Sequence, residues 1–316
     1  MSNEARTQPL PQTSSSWLTR IAEGNIQLPT NWFNLTLRFL IIAAALFFAL
    51  FPVVWIISAS FNTNGSMVSQ RLFPRDVDSL HDLLVNYRLL FNNQQIPFWR
   101  WMGNSLMISS ITTVMVLFIT SMSAYAFSRF RFRGRRNLLL TIFLIQVFPN
   151  LLAMTALYLM LVQIGNYVPQ FGINRFGGLL LIYMGGGQAM NIWLMKGFFD
   201  TIPREIDESA LVDGATHWQS FWYLIFPLVR PILAVVGLLA FVGTFNDFLL
   251  PRIILTEREN WTLMVGMFSF VQGGEFSTEW GIFAAGSLIA ATPIVLLYIG
   301  LQRFIVGGLT VGAVKG

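Results

Sequence analysis

Five carboxylates, Asp200, Glu205, Asp207, Glu208 and Asp213, crowd into one short run of a 316-residue chain that has only 15 acidic residues in all. The run reads DTIPREIDESALVDGATHWQSFWYLIFPLVRP, from Asp200 to Pro231, and strongly apolar stretches flank it on both sides. The chemistry it offers is charge presented to a basic partner; a plain solvated connector is the simpler alternative. Other chemistry has little to stand on. With no cysteine, disulfides, thiolate metal sites and cysteine nucleophiles are excluded. The two histidines, His81 and His217, are not paired as metal ligands. The sequence has no GxxxxGK[ST] phosphate loop and no HExxH or GxSxG motif. The chain is expected not to be an enzyme and to bind no cofactor of its own.

Local rules shape the acidic run into two short helices with a hinge. Asp200 or Thr201 is placed to cap the first, with Pro203 tolerated in its opening turn. Gly214 ends it, because glycine accepts a left-handed backbone without steric cost. Thr216 and Gln219 are spaced as a capping box for the second helix. Pro227 and Pro231 then interrupt the approach to the next apolar stretch.

The rest of the chain reads as membrane. Hydrophobic residues make up 54%, charged residues 11%, and the mean hydropathy is +0.60; soluble domains carry about 25% charged residues. An all-α polytopic membrane protein is expected, with lipid as its surroundings. A helical span needs about 20 apolar residues. Six stretches qualify: Leu35–Ser60, Asn104–Phe127, Leu138–Gln163, Gly177–Phe199, Leu228–Leu250 and Gly281–Phe304. Arg129, Arg131, Arg133, Arg135 and Arg136 make the connection between the second and third spans basic, which places it in the cytoplasm. Both termini and the acidic run then lie inside, and the loops 61–103, 164–176 and 251–280 lie outside. The net charge of +5 is accounted for by such cytoplasmic loops, so no nucleic-acid partner is expected. The polar residues 1–35 read as a cytoplasmic tail rather than a signal peptide. A first span with its long external loop (36–99), a transmembrane core (100–304) and a cytoplasmic C-terminal tail (305–316) complete the organisation.

Within the spans, Pro149 interrupts the third and frees a backbone carbonyl. Gly185, Gly186 and Gly187 read as close helix packing beside the polar Gln188 and Asn191. Asp247 is the one carboxylate deep in a span, next to Asn246 near its outer end. It reads either as a lining group of a solute path or as a helix-end group. Pro149, Asn191, Asn246 and Asp247 are the candidate translocation-path residues.

ESALVDGA followed by PLVRP resembles the EAA loop of bacterial ABC importer permeases, E-A-A-x-x-D-G-A, then about a dozen residues, then P-x-x-x-P. Glu208, Ala210, Asp213, Gly214, Ala215, Pro227 and Pro231 match, and Ser209 stands where the pattern has its first alanine. SAYAFSRFRFRG at 123–134 resembles the permease family, KGFFDTIPREIDESALVDGA looks like carbohydrate permeases, and GNYVPQFGINRFGG at 165–178, the long first external loop and the ending QRFIVGGLTVGAVKG look like their MalG-like maltose/maltodextrin branch. The likeness covers roughly residues 35–316. FNDFLLP, at the end of the fifth span, looks more like sugar permeases in general.

The resemblance implies the type I ABC importer (MetI-like) fold in the bacterial cytoplasmic membrane. It implies a second permease subunit (MalF-like), an ATPase subunit dimer (MalK-like) that binds the ATP, an external sugar-binding protein and a sugar substrate. The acidic loop would be the coupling helix that docks on the ATPase, through Glu205, Glu208, Ala210, Asp213, Gly214 and Ala215. The C-terminal tail, with Gly308, Gly312 and Lys315, would run along the ATPase interface. The loop around Gln272–Glu279 would reach toward the binding protein's sugar. The same machine for another oligosaccharide or for glycerol phosphate stays open, as does an ion-coupled secondary sugar transporter using Asp247.

Overall fold

The computed structural model describes residues 32–62, 80–147, 150–186, 188–272 and 279–313, and the regular structure among them is helical. Pro149, Gly187 and Lys315 lie outside the described residues, as do 1–31 and the segment 273–278. The chain divides into two compact units, Met1–Val54 and Trp55–Gly316.

The first unit holds most of helix α1, Trp32–Ser60. Phe39, Phe47 and Phe48 are exposed on it, as are Leu40, Ile41 and Leu46. A helix that is apolar on all sides is stable in hydrocarbon and not in water.

In the second unit, α2 (Leu80–Leu83) and α3 (Val85–Asn92) precede the central helix α4, Phe98–Arg129. At 32 residues α4 is about 48 Å long, longer than the roughly 30 Å hydrocarbon core. Its buried side includes Ser105, Ser109, Thr112, Thr120, Ala124 and Ser128. Small residues at helical spacing let neighbours approach closely. Helices α5 (Arg135–Val147), α6 (Asn150–Tyr167), α7 (Phe176–Gly185) and α8 (Gln188–Phe199) follow. Next come α9 (Glu205–Val212) and α10, a continuous run of His217–Gln219, the π-helical Ser220–Ile225 and Phe226–Leu228. Helices α11 (Arg230–Phe245), α12 (Leu249–Ile254), α13 (Leu263–Phe268) and α14 (Trp280–Ala313) complete the unit.

The core lies along α4, which contributes to three clusters. At its start, Phe98, Trp101 and Met102 pack with Phe241, Phe245, Leu263 and Met267. Ile108 joins Leu161, Leu179 and Ile254. At its end, Ala124 and Tyr125 join Met195, Phe199, Phe221 and Ile225. Polar contacts sort the loops to the two ends of this helix. Near its start, Trp101 Nε1 donates to the Arg258 carbonyl at 2.8 Å, and Asn104 Nδ2 donates to the carbonyls of Glu259 and Trp261. The Asn174 amide donates to the Ile254 carbonyl, which ties in the 164–176 connection. The acidic run meets the opposite end of α4. This is the alternation that successive crossings require.

The spans differ from expectation in detail. The helices α1, α4 and α14 are each long and apolar enough to cross a membrane. A fourth crossing is added if α10 and α11, bent by 80°, count as one. The third expected span is two helices, α5 and α6, flanking the Pro149 position. The fourth is also two, because the backbone turns extended at Gly186. The fifth ends at Phe245 rather than Leu250. The sixth overruns Phe304, so residues 305–313, expected as tail, continue helix α14, with Gly308 and Gly312 on its last turns.

One close approach makes a direct prediction. A Cβ on Gly266 would stand 2.1 Å from Cε3 of Trp101, a fully buried and hydrogen-bonded ring. Gly266→Ala is expected to destabilise the protein by about 1–3 kcal/mol, the usual cost of overpacking. A lowered unfolding midpoint of the purified protein in detergent would show it.

Candidate functional site

The acidic run folds around helix α9, and its end follows the local rules closely. Gly214 takes φ +86. Its amide donates to the Leu211 carbonyl, and the Ala215 amide donates to Ala210 at 2.9 Å. These two bonds make a Schellman motif, which satisfies carbonyls that the helix end would otherwise leave bare. Thr216 and Gln219 form the expected capping box: the Gln219 amide donates to Thr216 Oγ1, and the Thr216 amide donates to Gln219 Oε1 at 2.8 Å. The start of α9 departs from expectation. The helix opens at Glu205 behind Arg204, with no side-chain cap. Thr201 instead donates to the Phe198 carbonyl, and Asp200 is taken up by Ser128 and Lys196. Burial favours the neutral form of Asp200, but the hydrogen bonds from Lys196 and Ser128 hold its carboxyl below the ordinary value.

The two faces of α9 do different things. Glu205, Glu208 and Val212 share one exposed stripe, at the i, i+3 and i+7 spacing of a helix face. Glu205, Glu208 and Asp213 form no ion pair among the described residues. Ala210 turns inward, 7% exposed, and Ala215 is half-buried.

Asp207 is inward as well, and sequence reasoning passed it over as a site residue. It is 6% exposed, and its Oδ2 lies 2.7 Å from Arg129 Nε at the last residue of α4. Tyr125 and Ser220 hydroxyls donate to its Oδ1 at 3.1 and 2.9 Å. The Arg129 Nη2 also donates to the Ile202 carbonyl, and Arg204 Nη2 donates to the Ser128 carbonyl. Arginine suits this place because its planar fork reaches a carboxylate and a carbonyl together. The acidic helix is thus fastened to the end of α4 by a buried ion pair, with the other carboxylate oxygen held by two hydroxyls. A signal existed: Asp207 shares the i, i+3 face of the inward Ala210, opposite Glu205 and Glu208.

Gly214 has open space around its missing Cβ, so a substitution there acts through the backbone alone. Gly214→Pro cannot adopt positive φ and loses the amide bond to Leu211, at a cost of about 3 kcal/mol or more. Transport is expected to be lost while the protein still inserts; assays of membrane level and uptake check this. Gly214→Asn is expected to retain function, since asparagine tolerates the left-handed region.

The candidate path residues do not form one site. Asp247 sits at the break between α11 and α12. It accepts from the Tyr183 hydroxyl at 2.8 Å and from the Leu249 amide at 3.1 Å, so it serves as a helix-end group. Its neighbour Asn246 is exposed at the end of α11. Asn191 is half-buried on α8. Polar side chains patch the break between α7 and α8: Gln188 Nε2 donates to the carbonyls of Tyr183 and Gly186, and Gln146 Oε1 accepts from the Met190 amide. Freed backbone groups at membrane depth require such partners.

The binding-protein-dependent transport system inner membrane component family matches residues 116–310. The maltose/maltodextrin transport system permease protein MalG of Vibrio vulnificus (strain YJ016) is 36% identical over 273 residues, covering 84% of this chain and 91% of that protein. The galactooligosaccharides transport system permease protein GanQ of Bacillus subtilis (strain 168) is 36% identical over 289 residues, covering 90% of this chain and 97% of that protein. A chain of a bacterial ABC transporter involved in the import of the acidic polysaccharide alginate superposes with a TM-score of 0.70 at 24% identity. That match covers 92% of this chain and 99% of the other, and it supports the fold.

Proposed function

The chain belongs to the binding-protein-dependent transport system inner membrane components, and from this membership we propose that it moves maltose or maltodextrins inward across the bacterial cytoplasmic membrane, driven by ATP that a partner subunit binds. It is a membrane-embedded permease subunit of an ABC importer for sugar. The observation that carries the coupling role is α9: one face fastened to α4 through Arg129 and Asp207, the other presenting Glu205 and Glu208 unpaired among the described residues. A helix held this way can receive a push on its outer face and pass it to a span.

The proposed cycle uses that connection. The ATPase dimer, MalK-like, closes on ATP and displaces α9 and α10. The buried ion pair transmits the displacement to α4, and the packed spans rock from inward-facing to outward-facing. A loaded binding protein then delivers sugar to a path shared with a second, MalF-like permease subunit. Both termini and the acidic loop are cytoplasmic in this arrangement. No cofactor of this chain's own takes part. Pro149, Asn191, Asn246 and Asp247 stay the candidate lining of the path, and Gly308, Gly312 and Lys315 the candidate tail contact.

A second substrate reading, galactooligosaccharides, is supported by GanQ, as similar to this chain as MalG is. Uptake of labelled maltotriose and of a labelled galactotriose, in a strain lacking the chain and complemented with it, separates the two. Restored maltotriose uptake that fails on ATP depletion and survives an uncoupler is the expected result. Uptake that collapses with the uncoupler while ATP is maintained would overturn the ATP-driven reading.

A further inference from the structure

Next to the anchored loop, a cavity of about 630 Å³ lies where α5 begins, between that helix and the end of α8. Its walls combine two chemistries. Arg135, Arg136 and Lys196 line it, and so do Leu140 and Trp193. Lys196 is engaged by Asp200, and Arg135 feels that carboxylate at longer range. Asp200 is already held by Ser128 and Lys196, so the site retains an excess of positive charge. Trp193 and Leu140 are about half exposed, and Leu144, one turn further along α5, is 68% exposed. Leu140 and Leu144, four residues apart, share one face of α5 and carry apolar surface from the cations down the helix.

We propose that this cavity binds an anionic phospholipid, its phosphate on Arg135 and Arg136 and an acyl chain along Trp193, Leu140 and Leu144. Two arginines beside a lysine attract an anion, and guanidinium groups suit phosphate oxygens in particular. A free inorganic anion would use only the cationic rim and leave the apolar wall bare. A zwitterionic lipid would cover the wall but bring a cation to the arginines. Only an anionic lipid matches both. The inference rests on the membrane-embedded reading of the chain and makes no use of which sugar is carried. The bound lipid would lie within a helical turn of Asp200, at the root of the acidic loop, so lipid charge would bear on that loop's position.

The test uses the assembled transporter in phosphatidylcholine nanodiscs doped with a photoactivatable phosphatidylglycerol. Adducts are expected on peptides around 135–144 and 188–196, and excess inorganic phosphate should leave them in place. Arg135→Gln with Arg136→Gln should cut the adducts by roughly tenfold or more, given the worth of each basic side chain near an anionic lipid. Arg135→Lys with Arg136→Lys should keep most of them. Trp193→Ala leaves the cations and the topology in place and should also lower the yield, which covers the case where the glutamine variant fails to assemble. Equal labelling by a photoactivatable phosphatidylcholine, displacement by phosphate, or unchanged labelling in Trp193→Ala and the glutamine variant would overturn the proposal.

Discussion

Arg129→Ala is expected to destabilise the protein by about 3–5 kcal/mol, the cost of leaving a buried charge without its partner. Asp207 and Arg129 have side chains 9% and 6% exposed, so water does little to replace the lost cation. The same change removes the hydrogen bond to the Ile202 carbonyl, which holds the approach to α9. Both effects loosen the acidic loop from α4. Sugar-stimulated ATP hydrolysis in the reconstituted complex should therefore uncouple from transport, with uptake falling further than protein level. Arg129→Lys keeps the charge but cannot serve the carboxylate and the carbonyl through separate nitrogens, so an intermediate loss is expected. Tyr125→Phe removes one hydroxyl donor to the Asp207 carboxylate and should cost less, about 1.5–3 kcal/mol. Thermal unfolding of the detergent-solubilised variants gives this order. Equal stability for Arg129→Ala and the wild type would show that the pair anchors nothing.

Glu208→Lys is expected to abolish uptake with little change in fold stability. Glu208 is exposed on α9 and forms no ion pair among the described residues, so none of them depends on its charge. Surface substitutions of this kind usually fall within about 0.5 kcal/mol. At a docking face the sign matters: like charges brought together across an interface cost several kcal/mol. The variant should insert and hold its second permease subunit, yet fail to retain the ATPase subunit on purification. Glu208→Gln, which removes charge without reversing it, should lose less. Normal uptake by Glu208→Lys would remove Glu208 from the docking face.

Local rules explain why the acidic loop was readable and its anchor was not. The positive φ at Gly214 and the Thr216–Gln219 capping box follow from residue types within a few positions. The tie between Tyr125 and Asp207 joins residues 82 apart, and no local pattern announces it. The cap at Asp200 failed for a related reason. Aspartate is a good cap in isolation, but Ser128 on a distant helix and Lys196 one turn back claim its carboxylate. The glycines at 185–187 were visible as close-packing residues, and the structure uses Gly186 to break the helix instead. The difference lies with Gln188 and Gln146, whose side chains satisfy the backbone groups a break exposes. The break in the third span was legible from Pro149, the position that α5 and α6 flank. A helix-end group was one of the two readings open for Asp247, and its Tyr183 partner came only with the fold.

The central claim is that the outer face of α9 is where the ATPase subunit docks. The chain has no cysteine, so a single one can be labelled cleanly. Val212 is the place for it, 87% exposed and one turn beyond Glu208 on the same stripe. Val212→Cys carrying a short photo-cross-linker should give, in the assembled complex, one dominant adduct with the ATPase subunit, and its yield should change on adding ATP. Adducts confined to lipid or to the second permease subunit, with none on the ATPase, would contradict the account.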